Sequence, residues 1–134
     1  MDKQFIQDRF PIYRLNIDKK DTPHQSAGDM IAALRECVES DQNARFIADF
    51  DHYSHTRGLD DGELSDNIQD ARIIVFCFGI KLPAPEMLGV RPRSIGVADM
   101  GDHFVVSYME APLKHANDAM HDWVVGLISS PIAA

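Results

Sequence analysis

Residues 73–80 read Ile-Ile-Val-Phe-Cys-Phe-Gly-Ile, the longest unbroken apolar run in the chain. That is strand length, far short of the roughly 18 residues a membrane-spanning helix needs. Alternation puts Ile74, Phe76, Phe78 and Ile80 on one face and Ile73, Val75, Cys77 and Gly79 on the other. A strand with two apolar faces must be covered on both, by helices, another subunit or a ligand. The spacing predicts a strand over 71–82, stopped by Leu82-Pro83-Ala84-Pro85 because proline cannot donate to a ladder. Two more alternating segments follow, Ser94–Asp99 and His103–Glu110, joined by Met100-Gly101-Asp102 with Gly101 at the positive-φ position. Residues 72–110 should therefore form an antiparallel meander.

Upstream, Tyr13, Leu15 and Ile17 alternate with polar residues, which predicts a half-buried strand, with Pro11 at its start. Ser26 with Asp29 three residues on is a capping-box pattern, and Ala27, Met30, Ile31, Leu34, Cys37 and Val38 form one helical apolar stripe. Arg45–Phe50 reads as a strand with Phe46, Ala48 and Phe50 on one face. Residues 52–71 read as a long acidic loop with one helical turn near Glu63–Ile68, and residues 1–9 as a loose arm. A second helical stripe runs through Leu113, Ala116, Met120, Trp123, Val124, Leu127 and Ile128, with Pro112 at the first helical position. The expected fold is a single α+β domain over 1–134, two-layered, in the order β-α-β-β-β-β-α, with a mainly antiparallel sheet and both helices on one face.

Large residues collect on that face, among them Phe76, Val97, Phe104, Val106 and Tyr108. The opposite positions are small but still apolar: Val75, Cys77, Gly96, Ala98, Val105, Ser107 and Met109. A solvated face would carry Lys, Glu and Thr there. Two readings follow, a face-to-face homodimer or a shallow ligand groove, and the homodimer is the one expected, because small side chains let two sheets approach closely.

The run Ile73–Gly79, then Pro83, Pro85, Met87-Leu88, then Pro92-Arg93-Ser94-Ile95-Gly96-Val97 and Val106-Ser107-Tyr108 with Pro112, resembles the bacterial family of unknown function DUF302. Phe50-Asp51-His52 is similar to the Asp-His that follows that family's second strand, and the predicted helix over 26–38 stands where its first helix would. The resemblance covers roughly residues 26–115 and includes a diverged sister family. It departs at Ile80-Lys81, where that family has Asn-Pro. It implies a TATA-box-binding-protein-like fold without a DNA-binding role, and it brings no activity.

Thirteen Lys and Arg against 21 Asp and Glu leave a net charge of −8, which opposes binding to nucleic-acid backbones and anionic membranes. Charges interrupt the N-terminus, so no signal peptide is expected. The two cysteines, Cys37 and Cys77, then read as reduced, buried thiols of a cytoplasmic protein.

Six histidines invite a metal or haem reading, densest at Asp51-His52-Tyr53-Ser54-His55. In it His52 and His55 ligate, Asp51 orients a ring, and His103 joins from the hairpin. That geometry needs the 52–71 loop to fold back, since strands at about 4.8 Å each separate the two ends. Solvated loop histidines are the plainer alternative. His115 and His121 read as surface residues, and Asp60, Asp61, Glu63 and Asp66 lack the spacing of a calcium loop. The sequence has no phosphate-cradling loop, no nucleophile elbow and no Cys-x-x-Cys. It points to a small cytoplasmic, non-catalytic, dimeric module that binds a ligand or a protein, with His52, His55, His103, Cys77 and Met109 as candidate binding residues. The alternative is a metal- or haem-binding protein using His52 and His55, with His103 as third ligand. The sequence names no cofactor.

Overall fold

The structure, a computed structural model, describes residues 1–128. Six strands form one antiparallel sheet: β1 (Asp2–Ile6), β2 (Phe10–Asp18), β3 (Arg45–Asp51), β4 (Asp70–Cys77), β5 (Arg93–Asp99) and β6 (His103–Met109). Three α-helices accompany them: α1 (Ala27–Ser40), α2 (His52–Arg57) and α3 (Lys114–Val125). The strand order is β1-β2-β6-β5-β4-β3, so the expected meander β4-β5-β6 sits at the centre. Order and helix packing are compatible with the TATA-box-binding-protein-like fold.

The apolar stripe of α1 buries Ala27, Met30, Ile31, Leu34 and Val38 almost completely. Its cap forms as the spacing requires, with the Asp29 amide donating to Ser26 Oγ at 3.0 Å. Ala116, Met120, Val124 and Leu127 bring α3 and its exit onto the same core. Both long helices thus lie on the face of Phe76, Val97, Phe104 and Val106. Asn117 fixes the start of α3 by bonding both the amide and the carbonyl of Ala111, at 2.6 and 2.7 Å. The helix begins at Lys114, two residues later than Pro112 suggested, and among the described residues no side chain caps it. Trp123 is half-buried, set edge-on to Phe76 at 5.4 Å and stacked on Phe78 at 5.5 Å.

Several expectations need correction. Residues 2–6 are a strand, not a loose arm. They pair with β2 through a tight turn whose Gln7 and Asp8 both have positive φ, 53° and 58°. Hairpin turns of this hand favour Asn-Gly, so Gln-Asp left no signal in the sequence. The third strand of the chain carries a bulge: Phe46 lies opposite Phe76, but Ala48 lies opposite Val75. One extra residue reverses the alternation, so Phe46 joins the core while Ala48 and Phe50 turn to the other face. The long apolar strand ends at Cys77 rather than at 82, and Ile80 is 70% exposed. Cys37 and Cys77 are half-buried rather than buried. The acidic segment opens with helix α2, and where a helical turn was expected near Glu63–Ile68 it has a single turn at Ser65–Ile68.

Two outcomes follow from this packing. Trp123→Ala should destabilise the protein by roughly 2–4 kcal/mol in denaturant unfolding, below the range of about 3–5 for a fully buried large side chain. Tyr108 is buried beside Tyr13, and this burial pushes its phenol up to about 12 from 10.0. Because the fold favours the neutral phenol, its contribution is complete below pH 10 and is lost as pH rises toward 12. The parent should lose about 2–3 kcal/mol more than Tyr108→Phe across that window in pH-dependent unfolding.

Candidate functional site

The second face of the sheet is half-buried along its centre. Ala71 and Ile73 of β4, Gly96 and Ala98 of β5, and Val105 and Ser107 of β6 make a low floor. A Cβ at Gly96 would meet Ile73 Cγ1 at 3.9 Å, an ordinary contact, so the floor there could take a methyl group without strain. The chain that leaves β3 returns over this floor as a flap. His52 and Thr56 of α2, then Glu63, Leu64, Ser65 and Ile68, wall a groove of about 390 Å³.

The sequence builds the flap locally. Asp51 ends β3 and caps α2, accepting from the Ser54 amide at 3.0 Å and the Ser54 hydroxyl at 2.8 Å. Those two donors, with Arg72 at 3.5 Å, hold its carboxyl below the usual range. Arg72 also donates from Nε to Asp70 at 3.0 Å, so one guanidinium ties the two ends of the flap together. Past α2 the chain turns back so tightly that a Cβ at Gly62 would fall 1.9 Å from the Thr56 carbonyl oxygen. Only glycine fits there.

Of the five binding residues read from the sequence, His52 alone lines the groove. Its Nδ1 lies 3.0 Å from Thr56 Oγ1. His55 turns against Phe50, ring centroids 5.3 Å apart, and its ring lies 6.0 Å from that of His52. His103 sits at the start of β6, with Nδ1 2.6 Å from Asp102, whose carboxyl it holds below the usual range. Cys77 closes β4, its Sγ accepting from the Gly79 amide at 3.2 Å. Met109 ends β6 and is 42% exposed. Among the described residues no three His, Cys, Asp or Glu side chains come together as a metal site, so His103 does not join His52 and His55. Asp51, expected to orient a histidine ring, serves the Ser54 cap and Arg72 instead. Among the described residues no helix is long and apolar enough to cross a membrane.

Sequence reasoning identified the floor and missed Thr56, Leu64, Ser65 and Ile68. The one available signal was the pair Gly58 and Gly62 bracketing a short turn.

A model of a family of unknown function, DUF6858, matches residues 1–129. The crystal structure of the uncharacterized conserved protein DUF302 from Bacillus stearothermophilus is similar in fold, with a TM-score of 0.53 and 12% identity, over 83% of this chain and 80% of that one. No curated protein matches the chain. At that identity the likeness shows the fold alone, and it agrees with the resemblance read from the strand motifs.

Gly62→Ala should open the flap without unfolding the domain. Amide exchange should quicken several-fold across residues 58–69, while amides of α1 and β4–β6 keep their protection. Equal protection of the flap in parent and variant would contradict the tight turn.

Proposed function

The chain belongs to the family of unknown function DUF6858, and on that footing we propose that it is a non-catalytic module binding a small, largely apolar ligand in the groove beneath the flap. One observation carries the reading: the chain folds its own 52–69 segment over a floor of small apolar side chains, leaving about 390 Å³ between them. Small-molecule sites usually enclose roughly 300–1,000 Å³ with mostly apolar walls and a few placed polar groups. Thr56, Ser107, Glu63 and His52 supply the polar groups. Thr56 Oγ1 and His52 Nδ1, 3.0 Å apart, give the rim a paired hydrogen-bonding group for a polar end of the ligand.

The homodimer expected over this face would use the same floor. A flap standing on it favours the ligand, because two sheets packed face to face lie only about 10 Å apart.

Ala98→Arg separates the two readings. Nile red, a neutral apolar dye, should brighten in the parent, and Ala98→Arg should abolish this by filling the groove while elution volume stays unchanged. Dye binding retained in Ala98→Arg would exclude the groove. A parent dimer that Ala98→Arg converts to monomer would restore the face-to-face contact.

A further inference from the structure

Beyond the end of β4 the chain from Phe78 to Pro92 lies against the entry to α3, and two adjoining depressions form there. The inner one is a recess of about 30 Å³ reaching Arg93 and Ala111, and the outer one is a cleft of about 300 Å³ reaching Lys81 and His115. Arg91, Phe78, Met87 and Leu113 border both.

Arg93 is the unusual group. Its Nη1 donates to the Val90 carbonyl at 3.2 Å and its Nη2 to the Met109 carbonyl. Its Nε is buried and has no partner among the described residues. Arg91 lies over the backbone of Gly79, where a Cβ would come within 3.0 Å of Nη1. Among the described residues no carboxylate forms an ion pair with either arginine, and unlike the other unpaired cations these two border one recess together. In a chain with 21 acids and 13 bases, two adjacent guanidiniums without an acid are a local inversion of charge. Carbonyls satisfy donors but do not neutralise, so a half-buried guanidinium without a carboxylate favours an anion at its accessible edge. The uncapped first turn of α3, opening just after Leu113, adds amides of the same polarity. The outer walls are apolar, and Phe78 is held flat by Trp123.

We propose that this cleft binds a small organic anion, a carboxylate or phosphate on a flat apolar body, with the oxyanion at Arg91 and Arg93 and the body against Phe78, Met87 and Leu113. The inner recess has room for about one oxygen, since a water occupies roughly 30 Å³ in the liquid. A trapped water is therefore the competing occupant.

Trp123, the single tryptophan, stacks on the cleft wall and reports on it. The purified protein is titrated at low ionic strength with phenyl phosphate, benzoate and the neutral benzyl alcohol, followed by Trp fluorescence and calorimetry. Saturable binding of either anion, with benzyl alcohol at least about tenfold weaker, is expected, because one charge-assisted hydrogen bond alters affinity by that much. The tighter of the two anions identifies the oxyanion. Arg91→Gln, which keeps the side chain's length, and Gly79→Ala, which displaces the guanidinium, should each weaken the anion about tenfold or more with unchanged far-UV circular dichroism. The site is overturned if neither anion saturates below about 10 mM, a concentration matching only the weakest specific binding. It is overturned equally if benzyl alcohol binds as well as the anions, or if both variants bind like the parent.

Discussion

Two helices cover one face of a six-stranded sheet, and that one-sided burial organises the rest of the molecule. Phe76, Val97, Phe104 and Val106 are 2% exposed or less and face Met30, Ile31, Leu34, Met120 and Val124. At roughly 25 cal/mol per Å² of apolar surface, this layer is the main favourable term in folding. It also has to join distant parts of the chain. The central strand β6 pairs with β2, Ile12 opposite Met109 through Asp18 opposite His103, joining segments about two-thirds of the chain apart. Glu110 reinforces the junction, accepting from Lys3 at 2.7 Å and Tyr13 at 3.0 Å.

Because the helices occupy one face, both sites arise at what they leave uncovered. The other face keeps small side chains, and the chain between β3 and β4 folds across it instead of connecting directly. This flap rests on one short helix, one aspartate cap and one glycine turn rather than on a packed core, so it belongs to the part of the fold that opens most easily. The second site lies where β4 ends beside the entry to α3. After Cys77 the chain leaves the ladder, and Phe78, Arg91 and Arg93 gather against the start of α3.

Sequence and structure agree most closely where periodicity is strong. The stripe of α1 and the alternation of β4, β5 and β6 were readable because each buried position repeats at its element's own period. Gly101, with φ of 99°, closes the hairpin that its sequence announced. Periodicity failed where one residue breaks it. The bulge between Phe46 and Ala48 moved Phe50 from the core to the flap side, beside His52 and His55. The strand β1 is exposed along its whole length, so it carries no alternation to detect.

What the sequence determined by itself is the two-layer α+β architecture and the unusual composition of the second face, since both follow from local spacing of apolar side chains. It could not place the flap over that face, because residues 52–69 are polar and their position depends on Asp51, Arg72 and Gly62 meeting partners that local pattern does not encode. Nor could it bring Arg91 and Arg93 to α3. In the sequence they are two ordinary surface cations. Only the packed structure buries the Arg93 Nε, because desolvation and the lack of a carboxylate are properties of a three-dimensional neighbourhood.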